Sequence, residues 1–427
     1  MKRTTLRGGR SRAGELIDIA IEEGRIAAIL PAAPSSPALP QDGALDGRLV
    51  LPLLVNGHAH LDKTFLGASW QPHRSGATVR DRIDMEKHLR AELAETAAMR
   101  AELLAHRMIE FGTGTVRAHV DVDTQFGLTG LEDMLALRER LAGLLDMQLV
   151  AFPQNGIVTD PGTLDLLEAA LRSGADLIGG LDPIGIDGDL DGHLDAVFGL
   201  AERWGAGLDI HLHGVGRDAV REYDGILVRT RATGLNGRVT ISHGYGLGAL
   251  DPAEQDRIFD SLAELGVSVM TNGPAGTMPP VRRLRDHGVN VFIGSDNVRD
   301  AWWPFGDGDV LDVARNVAYQ SDFLRDEDLA IALDGITEGA ARALQLDDYG
   351  LRVGGRADLL VLDASSVGEA LAAPPVGRDV MRGGEWIAQR TVQTRTAFPP
   401  PGAPYARRDA LLATGSRTTN LEQEKHT

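Results

Sequence analysis

The chain has 427 residues, a net charge of −18 and a 43% hydrophobic composition, and it contains no cysteine. The negative charge argues against nucleic acid or an anionic membrane as a partner. The lack of cysteine excludes disulfides, cysteine–zinc sites and thiol nucleophiles. The basic start, Met1–Arg7, lacks the apolar stretch of a secretory signal, and no apolar run approaches the ~18 residues of a membrane span. We therefore expect a soluble cytoplasmic protein.

Short strand patterns occur at both ends of the chain. Residues 15–29 predict two strands around a Glu-Gly turn, and the Pro-, Ser- and Ala-rich residues 30–42 predict a loop. Residues 354–363 contain a turn and an apolar strand, and residues 380–387 are typical of a hairpin. These elements indicate one small β domain that is built from both termini.

The middle of the chain alternates between strand and helix patterns. It begins with an apolar run, Val50–Val55, which predicts a buried strand that leads into His58-Ala-His60. Seven further strand candidates follow, at 112–123, 148–154, 176–182, 207–213, 238–243, 268–272 and 290–296. The helical patterns lie at 88–111, 130–145, 164–174, 191–205 and 253–265.

Eight strand candidates that alternate with helices indicate an α/β chain with a (β/α)8 TIM barrel. We predict that the barrel spans residues 51–348 and that residues 1–50 and 349–400 form a small β-sandwich domain from both termini. Residues 401–427 are predicted to be a loosely held C-terminal tail.

Residues with metal-binding chemistry follow the C-terminal ends of these strands, where such barrels carry their active sites. Three imidazoles and a carboxylate can hold a divalent metal and leave a position for a water, whose pKa the ion lowers toward about 7. The residues are His58 and His60 on the first strand, His211 and His213 on the fifth, His243 on the sixth and Asp296 on the eighth.

With these residues in this order, the sequence resembles the amidohydrolase superfamily, and in particular its cytosine-deaminase branch. The resemblance covers nearly the whole chain and includes the segment 294–306 after the last strand. It implies that His243 contacts the attacking water. It also implies one divalent metal ion, with zinc preferred and Fe(II) or Mn also suited. The implied metal ligands are His58, His60, His211 and Asp296.

Lysine is scarce in this sequence, and its distribution predicts a mononuclear site. Related branches of the superfamily bridge two metal ions with a carboxylated lysine on the fourth strand. No lysine lies between Lys87 and Lys425, so that bridge cannot form.

One position departs from the cytosine-deaminase pattern. Those enzymes carry a proton-shuttling glutamate three residues after the strand-five histidine, where this chain has Gly214. Lys63 and His213 are the nearest substitutes, and we expect burial and the metal to lower the pKa of the Lys63 ammonium toward neutrality. Together with Asp182 on the fourth strand, they resemble the N-isopropylammelide isopropylaminohydrolases of the same branch, which remove an alkylamine from a triazine ring.

The resemblance also suggests residues that contact substrate. Gln154, in Phe-Pro-Gln, corresponds to a glutamine that binds an amide edge of the ring, and Asn297 stands where cytosine deaminases have a second aspartate. Trp303 is predicted to stack on a planar ring, with Trp70 and Trp302 as further candidates. Three other residues have open roles. His119 and Asp121 contact substrate or support the site, and Asp62 orients a metal-binding histidine.

The sequence therefore predicts a mononuclear metal-dependent hydrolase that removes an amino or alkylamino group from a nitrogen heterocycle such as a pyrimidine or s-triazine. Asp296 would activate water and carry its proton, and Lys63 or His213 would assist protonation of the substrate. The alternatives are a cyclic amide or imide hydrolase with the same site, or a non-catalytic metal- or ligand-binding barrel, which Gly214 favours. The expected partner is a small heterocycle, and the expected assembly is a homo-oligomer.

Overall fold

The computed structural model describes residues 3–32, 43–73, 76, 78–273 and 277–393. It divides the chain into two compact units, of which one is Leu53–Tyr349 and the other combines Met1–Pro52 with the segment that starts at Gly350. The predicted tail, 401–427, lies outside the described residues, as does most of the predicted loop 30–42. Among the described helices, none has both the length and the apolar character needed to cross a bilayer.

The strands of the described chain form two separate sheets. In chain order they are β1 (Arg3–Arg10), β2 (Leu16–Glu22), β3 (Arg25–Pro31), β4 (Gly43–Ala44), β5 (Leu49–Pro52), β6 (Leu54–Ala59), β7 (Thr113–Asp121), β8 (Asp146–Phe152), β9 (Leu177–Leu181), β10 (Gly207–Leu212), β11 (Val239–His243), β12 (Ser268–Thr271), β13 (Val291–Ile293), β14 (Leu359–Leu362), β15 (Arg378–Arg382) and β16 (Glu385–Arg390).

Most of the α-helices lie between consecutive strands of the larger unit. They are α1 (Val79–Glu92), α2 (Ala97–Glu110), α3 (Thr129–Arg140), α4 (Thr163–Ser173), α5 (Leu190–Trp204), α6 (Gly216–Thr233), α7 (Pro252–Leu265), α8 (Val281–Asp286), α9 (Val310–Gln320), α10 (Asp326–Gly335), α11 (Glu338–Ala343) and α12 (Val367–Ala372). Short 3-10 helices at Leu61–Lys63 and Tyr245–Ala249 follow β6 and β11.

The unit built from the two termini contains a mixed sheet in the order β16-β15-β14-β5-β1-β2-β3, with β4 paired to β1. The hairpin of β2 and β3 turns at Glu23 and Gly24, which both have positive φ, as the twist of a tight hairpin requires. Alternate side chains of these strands point to one side and form a buried apolar cluster that includes Leu6, Ile19 and Val361.

The larger unit contains an eight-stranded parallel sheet in the order β13-β12-β11-β10-β9-β8-β7-β6, which curls into a nearly closed barrel. A parallel bridge between Ala59 and Asp296 joins its two edges. The Asp296 N–H donates to the His58 carbonyl over 2.8 Å, and the Asp296 carbonyl accepts from the His60 N–H over 3.2 Å. The first and last strands thus meet at the residues that the sequence marked as metal ligands.

The structure corrects two of the predicted elements. The apolar run Val50–Val55 is not one strand, because β5 ends at Pro52 and β6 begins at Leu54, and the two strands belong to different sheets. The pattern at 88–111 spans parts of two helices rather than one. Thr96 begins the second helix, since its side chain accepts a hydrogen bond from the Met99 N–H and so satisfies a free donor of the first turn.

Candidate active site

Three histidines and one carboxylate converge at the C-terminal ends of the barrel strands. The Nε2 atoms of His58 and His60 lie 3.5 and 3.3 Å from the Asp296 Oδ1 atom, and the Nε2 atoms of His60 and His211 lie 3.4 Å apart. These spacings suit a tetrahedral ion, because metal–nitrogen bonds of about 2.1 Å place neighbouring ligand atoms about 3.4 Å apart. One ligand atom each from His58, His211, His243 and Asp296 also lies within 4.8 Å of the others.

A chain of hydrogen bonds orients His58 toward this point. Ser242 Oγ donates to the Asp209 carboxylate, so it accepts from the Nδ1–H of His58 over 3.0 Å. The Nε2 lone pair of His58 is then free, and this buried atom has no hydrogen-bond partner among the described residues. Burial lowers the pKa of both His58 and His60 to about 4, so the two imidazoles are neutral. Neutral, unpartnered nitrogen atoms are what a divalent metal requires of imidazole ligands.

The backbone at several strand ends is held in the left-handed region. The φ angles are 35° at Asp182, 68° at His243 and 54° at Asp296, although none of these residues is glycine. Such conformations are strained for side-chain-bearing residues and cluster at functional sites. The Asn272 side chain further fixes the Asp296 carboxylate by donating to its Oδ2 atom over 2.8 Å. The Oδ1 atom of Asp296 therefore faces the histidines.

His213 forms an ion pair beside this cluster. Its Nδ1 atom lies 2.8 Å from the Asp182 carboxylate, which also accepts from the His213 backbone N–H over 2.7 Å. Although burial alone would lower it, the Asp182 charge raises the pKa of His213 above its ordinary value. The His213 ring stacks on His243 with centroids 4.7 Å apart. The imidazole is thus fixed in position, and the Asp182 carboxylate favours its protonated form.

Lys63 lies in a buried network of carboxylates, and this corrects the predicted direction of its pKa. Its Nζ atom lies 3.0 Å from Asp121 Oδ1 and 3.6 Å from Glu86 Oε2, and it donates to Gln154 Oε1 over 3.0 Å. Burial alone would lower the pKa of Lys63, but the charges of Asp121, Glu86 and Asp62 raise it well above its ordinary value. Lys63 is therefore a fixed cation.

A buried glutamate on α6 lies beside Gly214. The Glu222 side chain is 2% exposed, and its Oε1 atom accepts from the Ile184 N–H over 3.1 Å. Its Oε2 atom lies 3.1 Å from the position that a Cβ on Gly214 would occupy, and it has no hydrogen-bond partner among the described residues. Burial raises the pKa of Glu222 to about 7.

A cavity of about 320 Å³ opens above this cluster of candidate metal ligands, at the low end of the size range of small-molecule sites. Its walls combine polar groups with aromatic rings, as a planar heterocycle would require. Among the predicted residues, its lining includes His60, Lys63, Gln154, His211, His213, His243, Asp296, Asn297, Trp302 and Trp303. His58 is fully buried beneath it, and Asp182 bonds to His213 from outside the lining.

Several candidates from the sequence lie elsewhere. Trp70 is 61% exposed and packs against Arg299 outside this cavity. His119 is buried and stacks on His58 with ring centroids 3.8 Å apart, so it supports the site. Asp62 lies 3.6 Å from Arg90 and accepts from the Asp121 backbone N–H, whereas the acceptor for His58, among the described residues, is Ser242.

Sequence reasoning overlooked other contributors to the site. Asn272 ends the seventh predicted strand, so its position at a strand end was a usable signal. Ser242 and Asp209 lie within apolar strands, where an isolated polar residue indicates an internal hydrogen bond. Glu222 and Arg82 lie in helices, where nothing in the local pattern separates them from solvent-facing residues.

A sequence model described as the amidohydrolase family matches residues 44–388. An N-isopropylammelide isopropyl amidohydrolase from Pseudomonas sp. strain ADP is 32% identical over 330 residues, which cover 75% of this chain and 81% of that protein.

Two solved structures resemble the fold over its length. The N-isopropylammelide isopropylaminohydrolase from Burkholderia multivorans superposes with a TM-score of 0.86 at 43% identity, covering 91% of this chain and 99% of the other. The 5-methylcytosine deaminase from Klebsiella pneumoniae, liganded with 5-fluorocytosine, superposes with a TM-score of 0.83 at 30% identity, covering 92% and 99% of the two chains.

Proposed function

The chain belongs to the amidohydrolase family, and from this premise we propose that it is a mononuclear metal-dependent hydrolase. It removes an amino or alkylamino group from a nitrogen heterocycle such as a pyrimidine or an s-triazine. In this proposal a (β/α)8 TIM barrel carries the site, and the sheet from the termini belongs to a small β-sandwich. The supporting observation is the cluster of His58, His60, His211 and Asp296 at the floor of a cavity with aromatic and amide walls.

The metal site is proposed to hold one divalent ion, preferably zinc. When bound, such an ion lowers the pKa of a coordinated water toward about 7 and so supplies a nucleophile at neutral pH. The Oδ1 atom of Asp296 lies among the imidazole nitrogens while Asn272 donates to Oδ2, which supports the proposal that this carboxylate takes a proton from the attacking water. His243, in the same cluster, fixes the water.

The remaining residues bind the ring and move protons. Gln154 accepts from Lys63 through Oε1, and its buried Nε2 has no partner among the described residues, so this amide can donate to a ring acceptor. Trp303 offers an aromatic face, and Asn297 is held by a 2.6 Å hydrogen bond to Asp300. His213, charged through its pair with Asp182, donates a proton to the departing amine. Water adds to the ring carbon and gives a proton to Asp296, and the carbon–nitrogen bond breaks as the amine takes a proton from His213. Transfer of the proton from Asp296 to His213 then restores both groups.

Two measurements test this proposal together. Metal analysis of the purified protein should give about one transition metal per chain, since a set of three imidazoles and a carboxylate is typical of a single site. Metal-loaded protein should then be incubated with aminopyrimidines, alkylamino-s-triazines and aminopterins, with detection of free ammonia or amine. His211→Ala should lose both metal and turnover, whereas the exposed Arg107→Gln should keep both.

The same assay separates the alternatives. A cyclic amide or imide hydrolase would open a ring without releasing an amine, because the same activated water would attack a ring carbonyl. A binding barrel would hold the metal but release no product from any compound. Two strongly bound ions per chain would contradict the mononuclear site.

A further inference from the structure

Arg82 lines the same cavity and differs from the other cations there. Lys63 lies 3.0 Å from the Asp121 carboxylate, and His213 lies 2.8 Å from the Asp182 carboxylate. The half-buried guanidinium of Arg82 has no ion pair or side-chain hydrogen bond within the described part of the chain. The cavity wall therefore carries one positive charge that no carboxylate of the described residues offsets.

The position of Arg82 in the cavity lining puts this charge beside the space for the substrate. Arg82 lines this cavity together with His213 and interacts electrostatically with it. Tyr245 also lines the cavity and interacts electrostatically with Arg82, and its hydroxyl offers a hydrogen-bond donor there. Arg82 thus acts on the side of the cavity where His213 and Tyr245 offer donors.

An unpaired guanidinium in a partly dry cavity loses hydration without gaining a partner. Its planar fork of donors matches two oxygen atoms of a planar anion, which makes it selective for carboxylates and similar groups. We propose that Arg82 binds a planar anionic oxygen group on the heterocyclic substrate, either a carboxylate substituent or an ionised ring oxygen. This inference rests on the proposed function, because it names the substrate class of the same site.

The test measures binding, so it does not depend on turnover. Zinc-loaded protein is titrated in a calorimeter with orotate, which carries a carboxylate, with barbiturate, which carries an ionised ring oxygen, and with neutral uracil. The wild type should bind at least one anion roughly 10- to 100-fold more tightly than uracil, as expected for hydrogen bonds to a charged group. The favoured anion identifies the source of the oxygen group.

Because an anion can also bind the zinc ion directly, the decisive comparison is between variants. Arg82→Gln should abolish most of the preference for the anion while the affinity for uracil stays the same. Arg82→Lys should retain part of the anion preference, since the positive charge remains but the planar pair of N–H donors is lost. Arg107→Gln is the matched control, because it removes the same charge from an exposed helix position outside the cavity lining and should keep the preference.

The outcomes separate this inference from the proposed function. An unchanged anion preference in Arg82→Gln, or an equal loss for anions and uracil, would overturn the role of Arg82 even if amine release is observed. Release of no amine from any heterocycle would contradict the proposed function, whereas an Arg82-dependent anion preference in the same protein would still support the binding role.

Discussion

The Glu222 carboxylate fills the space beside Gly214. Its Oε2 atom lies 3.1 Å from the position that a Cβ on Gly214 would take, and Oε1 is fixed by the Ile184 N–H. A carboxylate is therefore present next to the position where cytosine deaminases carry their glutamate. It comes from α6, however, and within the described residues it does not belong to the cavity lining.

This arrangement predicts how Gly214 tolerates substitution. Gly214→Ala should change the unfolding free energy by less than about 1 kcal/mol, because a small movement of the Glu222 side chain accommodates the methyl group. Gly214→Glu places a second carboxylate against a buried one and should cost more than about 2 kcal/mol. Thermal unfolding measures both. Adding Glu222→Gln to Gly214→Glu should recover much of the loss, and no recovery would contradict the close approach.

Glu222 also predicts a pH dependence of stability. Burial raises its pKa from 4.5 to about 7 in the folded protein. The unfolded chain loses this proton first as the pH rises, so the stabilising contribution is complete below pH 4.5 and is lost by the time the pH passes about 7. Glu222→Gln should therefore gain stability relative to wild type between pH 5 and 8, by about 3 kcal/mol at most.

The measurement is the difference in melting temperature between wild type and Glu222→Gln at each pH. The exposed Glu327→Gln is the control and should follow the wild-type curve, because its side chain remains in solvent. A Glu222→Gln curve parallel to that of wild type would show that the carboxyl group titrates normally.

Asp296 is expected to be both a metal ligand and a proton carrier. Asp296→Asn keeps an oxygen among the ligand nitrogens but removes the base, so kcat should fall at least ~10²-fold while part of the metal is retained. Parallel metal analysis and steady-state kinetics check this. Near-normal turnover would assign proton transfer to another residue.

Lys63 is expected to contribute to stability as well as to catalysis. Lys63→Met removes one of the two cations that pair with Asp121 and Glu86. Because Arg90 still lies 2.8 Å from Asp121 and 2.9 Å from Glu86, the loss of stability should be smaller than the about 3–5 kcal/mol of a fully uncompensated buried charge. Adding Asp121→Asn should restore part of the melting temperature. If Lys63→Met melts like wild type, the network is not a stabilising one, and any loss of activity reports catalysis alone.

The pair of His213 and Asp182 predicts a separate catalytic effect. Asp182→Asn keeps the hydrogen bond to the His213 backbone but removes the charge that holds the imidazole protonated. Turnover should fall roughly 10²-fold with unchanged metal content, in the usual range for a positioned acid. The loss should be smaller for substrates with acidic leaving amines, which need less protonation. An equal loss for all leaving groups would argue against a donor role.

The barrel and the convergence of the candidate ligand residues could be predicted because both depend on local patterns. Strand ends are marked by apolar runs followed by polar residues, and the order of His58, His211 and Asp296 along the chain follows the order of the strands. The family assignment from these residues is confirmed by the match over 44–388. The predicted homo-oligomer remains a prediction.

The remaining features of the site and fold depend on contacts between residues that are distant in the sequence, and no local pattern reveals these contacts. The raised pKa of Lys63 follows from carboxylates on β7 and α1, and the sequence showed only a lysine near a metal site. The residue beside Gly214 is Glu222, which lies on the buried face of α6, while the other face of this helix is exposed to solvent. The division of Val50–Val55 follows from a change of sheet that hydrophobicity does not encode.

The bridge between Ala59 and Asp296 offers a way to measure metal binding. Asp296 joins the two edges of the barrel sheet through its peptide group, and its side chain faces the His58 and His60 nitrogens, so a metal ion bound there should also affect the hydrogen bonds between the two edges. The amide hydrogens of Asp296 and His60 form hydrogen bonds between the first and last strands of the barrel sheet. Their hydrogen–deuterium exchange should slow as metal is added, so metal occupancy could be followed without an assay of turnover.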